Sequence, residues 1–315
     1  MHRHTVTVAV AAIVLGCGTS NGSRGADTGS QTTIVRSQSA GYKSVSLGQN
    51  YACAVKLDGS VVCWGSNIED DSTPLAGHFS AVSGGWGAHT CGVRDDGSAV
   101  CWGQDGGGVQ PPPGSFAAVS AGDFQGDCGV ETDGSLVCWG SIAPIPPDSG
   151  VMDAGPLGPP LPSGRFKAVG MGVGMGCAVR TDGTLACWPN WVPSPAGSFR
   201  SVEFGLGTYC ALESNGTPSC WDELSVALPL GAPPAGTFTA IGVGDSFACG
   251  IKNDGTLACW GPGDGARLHQ TDPPQGTFTS ISLNGPSACA VDSGGYVVCW
   301  GFPIEDDMFH DTLPP

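Results

Sequence analysis

Fourteen cysteines fall into seven pairs with one common spacing, and this regularity restricts the fold more than any other feature of the chain. The two cysteines of every pair are ten residues apart. The pairs are Cys53 and Cys63, Cys91 and Cys101, Cys128 and Cys138, Cys177 and Cys187, Cys210 and Cys220, Cys249 and Cys259, and Cys289 and Cys299. The residue midway in each pair is followed by glycine, and these midpoints are Asp58, Asp96, Asp133, Asp182, Asn215, Asp254 and Gly294. Such a pattern is typical of a three-residue hairpin loop, in which a type I turn ends in a left-handed glycine.

A loop of this kind places the two cysteines of a pair opposite each other on antiparallel strands. Opposed residues have Cα atoms about 4.5 to 5.5 Å apart, which lies inside the range of about 4.4 to 6.8 Å that a disulfide tolerates. Zinc sites favour about two to four residues between paired cysteines, whereas nine separate them here. We therefore predict seven cross-strand disulfides, one in each hairpin.

The hairpins belong to a longer repeat. The first cysteines of successive copies are 38, 37, 49, 33, 39 and 40 residues apart. Each copy starts with an aromatic residue and a small apolar run, and each second cysteine is followed by a tryptophan. These tryptophans are Trp64, Trp102, Trp139, Trp188, Trp221, Trp260 and Trp300. A period near 40 with strand-type units is typical of propellers and solenoids.

Ring closure distinguishes these two architectures. A closed ring hides the strand edges, whereas an open solenoid needs polar capping repeats at its ends, and the first and last copies are not atypical. We therefore predict an all-β fold, a seven-bladed β-propeller over residues 41–315, with one cross-strand disulfide in each blade. The recurring tryptophans are expected to pack between blades.

Residues 1–17 are predicted to be a lipoprotein-type signal peptide. A weakly basic start leads into a short apolar run, and Val14-Leu15-Gly16-Cys17 resembles the lipobox of bacterial lipoproteins. Cys17, the one cysteine outside the pairs, is then the lipid anchor. The alternative is an ordinary secretory signal with an incidental cysteine. Both place the mature chain outside the cytoplasm, either held by its lipid at the bacterial outer membrane or cell surface or secreted, in agreement with the disulfides.

Residues 18–40 are rich in Gly, Ser, Thr, Asn and Gln and are predicted to form a flexible tether. Residues 32–35 are a candidate for an extra edge strand. The whole chain carries 12 Lys and Arg against 28 Asp and Glu, a net charge of −16. Nucleic acids and anionic membrane surfaces require a basic footprint. We therefore expect a monomer that binds no nucleic acid and contacts the membrane only through its lipid.

The repeat pattern is F-x-x-V-S-x-G, a loop, then C-A-V-x-x-D-G-x-x-x-C-W-G, and residues 84–103 are its most regular copy. It resembles the repeat of the regulator-of-chromosome-condensation family over residues 41 to about 302, which implies a seven-bladed propeller. Trp188-Pro189 and Trp221-Asp222 depart from the Trp-Gly pair. Nucleotide exchange and chromatin binding by the founding member imply a nuclear setting and basic surfaces, so neither is expected here. Exported bacterial members include a β-lactamase inhibitor, which implies a role in binding protein.

Five aromatic residues in the loops just before the hairpins are candidates for partner binding. In a propeller these loops share one face around the channel mouth, where exposed aromatics are typical of a protein hot spot or a sugar-stacking platform. The candidates are Tyr51, Trp86, Phe124, Tyr209 and Phe247. The alternative is that several of them pack between blades.

Two acidic segments follow the first and last repeats at equivalent positions, which ring closure makes neighbours. They contribute the carboxylates of Glu69, Asp70, Asp71, Glu305, Asp306 and Asp307. Carboxylate oxygens suit Ca²⁺, and the same charges would steer a basic partner, while a solvated acidic face is the alternative. No other cofactor is predicted.

No catalytic residue is predicted. The loop carboxylates Asp123, Asp127 and Asp245 are available for an alternative function, a secreted hydrolase or lyase with acidic residues at the channel mouth, but no base or metal triad accompanies them. The sequence therefore favours a non-enzymatic, lipid-anchored propeller outside the cytoplasm that recognises a protein or a glycan through one face.

Overall fold

The computed structural model describes residues 34–65, 74–86, 89–103, 110–122, 126–140, 161–189, 194–222, 230–263 and 269–301. Within these ranges every regular element is a β-strand, and the strands form seven antiparallel sheets. No helix in this part of the chain is long and apolar enough to span a bilayer. The predicted all-β, seven-bladed architecture is therefore confirmed.

Each sheet is one blade, with an inner, a middle and an outer strand in chain order. The inner strands are Tyr42–Gly48, Phe79–Gly84, Phe116–Ser120, Phe166–Met171, Phe199–Phe204, Phe238–Val243 and Phe278–Asn284. The middle strands are Tyr51–Lys56, His89–Arg94, Asp127–Glu131, Gly176–Arg180, Thr208–Glu213, Ala248–Lys252 and Ser287–Asp292. The outer strands are Val61–Gly65, Ala99–Gly103, Leu136–Trp139, Leu185–Trp188, Pro218–Asp222, Leu257–Trp260 and Val297–Trp300. Each inner strand contacts the inner strands of both neighbouring blades, including blade 7 with blade 1, so the ring is closed.

The hairpin between the middle and outer strands has the predicted geometry. In blade 1 the Gly59 amide donates to the Lys56 carbonyl at 2.9 Å, the Lys56 amide donates to the Ser60 carbonyl at 2.8 Å, and Gly59 has a φ of 87°. Cys53 consequently lies opposite Cys63. All seven predicted disulfides are present, with Cα–Cα distances of 4.0 to 4.1 Å. These distances are closest to those of opposed residues that do not exchange backbone hydrogen bonds.

A side chain in each hairpin stabilises the turn, and in six of the seven blades it belongs to the midpoint residue. In blade 1 the Asp58 carboxylate accepts hydrogen bonds from the hydroxyl of Ser60 at 2.7 Å and from its amide at 2.9 Å. These bonds hold the pKa of Asp58 below its usual value. The same paired bonds form at Asp96, Asp182 and Asp254. In blade 7, where the midpoint is Gly294, the Asp292 carboxylate accepts from the amides of Gly294 and Tyr296 instead.

The hairpins also connect neighbouring blades. The carbonyl of Gly59 accepts a hydrogen bond from the amide of Phe79, the first residue of the next inner strand, at 2.7 Å. The equivalent acceptors are Gly97, Gly134, Gly183, Gly216, Gly255 and Gly295. Gly295 bonds the amide of Tyr42 at 3.0 Å, and this bond joins blade 7 to blade 1. The repeat therefore supplies one backbone bond at each of the seven junctions.

A strand from the N-terminal region completes blade 7. Val35–Arg36 pairs antiparallel with the outer strand of that blade, with Val35 opposite Cys299. The Arg36 guanidinium pairs with Asp292 at 2.6 Å. The extra edge strand expected from residues 32–35 therefore forms at Val35–Arg36, inside the segment 18–40 that was predicted to be a tether. The signal peptide, Cys17 and the tether up to residue 33 lie outside the described residues.

The core consists of seven clusters, each between two neighbouring blades. At the first junction, Cys53 and Val55 of blade 1 pack against Phe79 and Trp102 of blade 2. Every outer-strand tryptophan lies in such a cluster, which confirms the predicted packing between blades. The small residues of the middle strands make room for these aromatics, since a Cβ at Gly92 would lie 2.8 Å from the Phe79 ring.

Candidate functional site

The inner strands of six blades line a cavity of about 250 Å³ at the centre of the ring. Its exposed surface is mainly polar. The polar side chains among its lining residues are Ser46, Ser83, Ser120, Glu203, Ser282 and Asn284. The described lining includes no Lys, Arg or His, so Glu203 is its one ionisable group. We call the end of the ring that carries the inner-to-middle loops the loop face, and the opposite end the hairpin face.

Four serines of the inner strands connect neighbouring blades around the cavity. The Ser46 hydroxyl accepts a hydrogen bond from the amide of Gly84 in the next blade at 2.9 Å. The same bond joins Ser83 to Ala121, Ser120 to Met171, and Ser282 to Leu47, each at 3.0 Å. An inner strand is the edge of its sheet, and its outward amides lack a ladder partner. The serine of the preceding blade supplies an acceptor for one of them.

The equivalent position is not serine in blades 4, 5 and 6, where it is Gly170, Glu203 and Gly242. The two glycines permit a close approach of the next blade. A Cβ at Gly170 would lie 2.6 Å from the carbonyl oxygen of Val202, and one at Gly242 would lie 2.8 Å from the Leu283 side chain. Glu203 is therefore flanked by two blades that have no side chain at this level of the ring.

The Glu203 carboxyl is enclosed by the channel although it keeps contact with water. Its side chain is exposed to the channel solvent, and burial between the walls of the channel raises the pKa of Glu203 to about 7. The enclosure decides the pKa, because the few waters in a narrow channel solvate a charge less well than bulk water does. Among the described residues, no hydrogen bond or ion pair stabilises this carboxylate.

The loop face beside Glu203 exposes apolar side chains. Val173, in the loop of blade 4, is 46% exposed, and Leu206, in the loop of blade 5, is 54% exposed. Trp86, in the loop of blade 2, is half-buried and lines the cavity. Its amide donates to the Gly122 carbonyl of blade 3 at 2.8 Å. Apolar surface and an enclosed carboxyl thus occur together at this end of the ring.

Three of the five aromatic candidates are buried, which corrects their prediction as binding residues. Tyr51 and Phe247 are 0% exposed and Tyr209 is 1% exposed. The alternative of packing between blades therefore holds for these three. Trp86 is the candidate that the structure places at the channel, and Phe124 lies outside the described residues.

Local contacts explain the burial of these rings. The Tyr51 hydroxyl donates to the His89 carbonyl of blade 2 and accepts a bond from the Thr90 hydroxyl at 3.0 Å. A glycine three residues earlier makes room for a ring, since a Cβ at Gly244 would lie 2.5 Å from Phe247. The ring of Tyr209 packs between the rings of Phe204 and Trp221, with centroids 5.0 Å and 6.0 Å away.

A buried His–Asp pair joins blades 2 and 3. His89 Nε2 lies 2.6 Å from a carboxylate oxygen of Asp127, and both residues are at most 4% exposed. Ligand atoms of His89, Cys91 and Asp127 lie within 4.8 Å of one another. This cluster does not fit a metal ion, because the disulfide between Cys91 and Cys101 removes the thiolate that would bind one.

The remaining predicted site residues are placed as follows. Asp127, a candidate acid of the alternative enzyme, is buried against His89, and Asp245 is half-buried in the loop of blade 6. Asp123 lies outside the described residues, as do the six carboxylates of the predicted Ca²⁺ site, Glu69, Asp70, Asp71, Glu305, Asp306 and Asp307. The structure therefore brings no second carboxylate to Glu203 among the residues that it describes.

Sequence reasoning missed Glu203, Val173 and Leu206. A signal for Glu203 exists in the repeat, because a single acidic residue occupies a column that otherwise contains only serine and glycine. The signal for the two exposed apolar residues is weaker, since their loops are as long as those of blades 1, 6 and 7 and differ from them only in sequence.

Comparisons with known proteins agree with this architecture. The model of the regulator of chromosome condensation (RCC1) repeat matches residues 42–69. The CRINKLY WD40 ectodomain of the Arabidopsis thaliana receptor kinase ACR4 is 25% identical with a TM-score of 0.62, over 87% of this chain and 100% of that one. The ectodomain of the Physcomitrella patens receptor kinase CR4 is 22% identical with a TM-score of 0.64, over 85% and 74% of the two chains. A comparison with curated protein sequences finds no match.

Prp20p from Saccharomyces cerevisiae, whose structure was described together with its binding to Gsp1p and histones, has the same fold. It is 12% identical with a TM-score of 0.58, over 83% of this chain and 82% of that one. The repeat match, the seven closed blades and these similar structures lead to one conclusion. The chain is a seven-bladed β-propeller whose first repeat matches the regulator of chromosome condensation (RCC1) repeat.

Proposed function

We propose that this propeller is a non-enzymatic binding module that recognises a protein or a glycan through its loop face. The observation that carries the proposal is the contrast between its two ends. The seven hairpins repeat one arrangement, whereas the loop face has exposed Val173 and Leu206 beside an unpaired Glu203 carboxyl. Exposed apolar side chains next to a desolvated charge are typical of interaction sites.

The same arrangement argues against the alternative of a hydrolase or lyase. Asp127 is buried against His89, away from any substrate, and Glu203 has no second acid or base beside it among the described residues. General acid–base catalysis needs a positioned group within reach of the reacting atoms. A single carboxyl among serine hydroxyls is better suited to holding a ligand.

We further propose that the mature chain acts outside the cytoplasm as a monomer, held at a bacterial membrane through lipidated Cys17. Seven disulfides support an oxidising compartment. Two similar structures are receptor-kinase ectodomains. The acidic segments after the first and last blades remain candidates for binding Ca²⁺ or steering a basic partner, and the net charge of −16 argues against nucleic acid.

Affinity capture with the mature chain, with and without Ca²⁺, identifies candidate ligands, and glycan arrays cover the carbohydrates. Each candidate is then measured by calorimetry against matched variants of the two faces. Leu206→Ser and Val173→Ser alter the loop face, and Leu57→Ser alters a side chain that is 73% exposed on the hairpin face. We expect the first two variants to weaken binding about tenfold each, since a hot-spot truncation costs more than about 1 kcal/mol.

Leu57→Ser is expected to leave the affinity unchanged. Loss of binding in Leu57→Ser but not in Leu206→Ser would move the site to the hairpin face. Turnover of a captured ligand would contradict the non-enzymatic proposal. The lipid anchor is tested by membrane fractionation. We expect the chain in the membrane fraction, and we expect Cys17→Ser to abolish this.

A further inference from the structure

We infer that the central cavity binds the ammonium group of a lysine side chain presented by a protein partner, with the Glu203 carboxylate as its counter-ion. This inference rests on the proposed binding function and names the chemical group that the channel receives. It combines four observations, namely the charge of the lining, its acceptors, the size of the cavity and its position beneath the loop face.

The charge of the cavity is uncompensated. Glu203 is the one ionisable group among the described lining residues. The strands that contact its strand carry Lys167, Arg180 and Glu213, its own strand carries Arg200, and all four lie at the hairpin end of their strands. The distance from Arg200 to Glu203 is three residues along a strand, roughly 10 Å. Asp245, in the loop of the neighbouring blade 6, is a further acid on the loop face.

The acceptors that line the cavity suit an ammonium group. A lysine ammonium has three N–H donors and no acceptor, and the cavity offers the carboxylate of Glu203, the amide oxygen of Asn284 and serine hydroxyls from several blades. Each serine oxygen that accepts a backbone amide retains a second lone pair. These groups surround the ring axis, which fits the three diverging donors of an ammonium better than the planar fork of a guanidinium.

The size of the cavity favours a narrow ligand. Its volume of about 250 Å³ is below the roughly 300 to 1,000 Å³ of pockets that enclose drug-sized molecules. A lysine side chain is an unbranched four-carbon stem with a compact charge. Trp86 and Phe204 line the cavity and offer apolar contact to such a stem, while Val173 and Leu206 remain exposed for the surface around the lysine.

Binding of a cation is coupled to the protonation of Glu203. Burial raises the pKa of this carboxyl to about 7, so near neutral pH it is close to half ionised. An ammonium group stabilises the ionised form, and the displaced proton passes to solvent. The affinity is therefore greatest above the pKa and decreases about tenfold for each pH unit below it, as expected for one linked proton.

The test uses the butylammonium ion as the probe, with binding followed through NMR shifts of the cavity residues between pH 5 and 8.5. The full mature chain is compared with Glu203→Gln and with Asp95→Asn, which removes an exposed charge on the hairpin face. We expect the wild type to bind butylammonium with the tenfold pH dependence. Glu203→Gln should bind butylammonium at least about tenfold more weakly than the wild type, and its affinity should not depend on pH. Asp95→Asn should match the wild type.

Two further probes define the ligand class. Neutral 1-pentanol should not bind, and butylguanidinium should bind more weakly than butylammonium. Equal binding of butylammonium to wild type and Glu203→Gln, or equal binding of 1-pentanol, overturns the inference. Preference for butylguanidinium overturns the assignment to lysine. Equal loss in Asp95→Asn would attribute the effect to overall charge and would also contradict a channel site.

This result is separable from the broader function. A captured protein whose affinity is the same for wild type and Glu203→Gln would support the loop-face function and refute the channel inference. In contrast, butylammonium binding without any partner at the loop face would refute the function while keeping the cation site. Near pH 5 the Glu203 carboxyl of the wild type is protonated and resembles the glutamine of Glu203→Gln. Equal unfolding temperatures of the two proteins at this pH would confirm that the variant is folded.

Discussion

The two ends of each blade differ in how closely the seven copies agree. At the hairpin end, every copy has a three-residue turn and a glycine carbonyl that accepts an amide of the next blade, and a disulfide bridges the middle and outer strands of every copy. At the inner ring, four copies join the next blade through a serine, and blades 4, 5 and 6 have glycine or glutamate instead. The uniform hairpins close the ring, and the variable inner strands carry the candidate site.

This difference shows where the chain can change without losing its fold. Each junction keeps its hairpin bond and its buried tryptophan, even where the serine bond is absent. A missing serine therefore costs one hydrogen bond out of several contacts. The fold does not need a serine at position 203, because the other contacts of that junction remain. An enclosed carboxyl is therefore tolerated there.

The largest effect is expected from removal of a disulfide. Each bridge closes an eleven-residue loop, and the chain-entropy account assigns about 3 kcal/mol to a loop of this length. We expect Cys53→Ala/Cys63→Ala to lower the free energy of unfolding by about that amount, measured by denaturant titration.

Cys249→Ala/Cys259→Ala is the matched comparison, since Cys53 and Cys249 are both 0% exposed. We expect similar losses because the hairpins are equivalent. A large loss in one blade with none in the other would show that the hairpin ends are not equivalent.

The next effect concerns the glycine of blade 4. In Gly170→Ala the new Cβ would lie 2.6 Å from the Val202 carbonyl oxygen, which belongs to a strand and cannot easily shift. We expect a loss of about 1 to 3 kcal/mol, as for other overpacked sites. Unchanged stability in Gly170→Ala would show that the serine is absent from this blade for another reason.

A smaller effect is expected from removal of one serine bond. Ser83→Ala deprives the Ala121 amide of its acceptor at 3.0 Å, which should cost about 1 kcal/mol. Ser80→Ala on the same strand removes an exposed hydroxyl that donates to the Val93 carbonyl at 3.2 Å and serves as control. Equal effects of the two substitutions in thermal unfolding would remove the inner-ring serines from the account.

The two ends should also respond to pH in opposite directions. The pKa of Asp133 is lowered to about 2, chiefly by its bond from Arg165, so its stabilisation is present above its unfolded pKa and is lost as pH falls toward 2. The pKa of Glu203 is raised to about 7, so the folded state loses stability as pH rises from 4.5 to 7. Glu203→Gln should therefore unfold at a higher temperature than wild type at pH 8 and at the same temperature at pH 4. A higher unfolding temperature at both pH values would refute the titration of this carboxyl.

The hairpin end could be predicted because its determinants are local. The spacing of Cys53 and Cys63 with Asp58 and Gly59 between them specifies a turn, a register and a bridge within eleven residues. The closed ring was predicted because the first and last copies lack the polar caps that an open solenoid needs. The pairing of Val35–Arg36 with blade 7 was harder to predict from sequence, because it joins residues more than 250 positions apart.

The channel end could not be predicted in the same way. Whether Tyr51 is exposed depends on the His89 carbonyl of the next blade, and no local pattern reports that contact. Aromatic residues in loops suggested a binding surface, but glycines three residues earlier let two of these rings fold inward. Glu203 could be recognised as a candidate only after the structure showed that serine at the equivalent position of other blades accepts an amide of the next blade.

The most direct test of the account is a carbon-detected NMR titration of the Glu203 and Asp133 carboxyls in one sample. We expect a midpoint near 7 for Glu203 and near 2 for Asp133. These values would show an enclosed, unpaired acid in the channel and a hydrogen-bonded acid at the hairpin end. A Glu203 midpoint at its ordinary value of 4.5 would contradict the account, because the channel would then solvate this carboxyl as bulk water does.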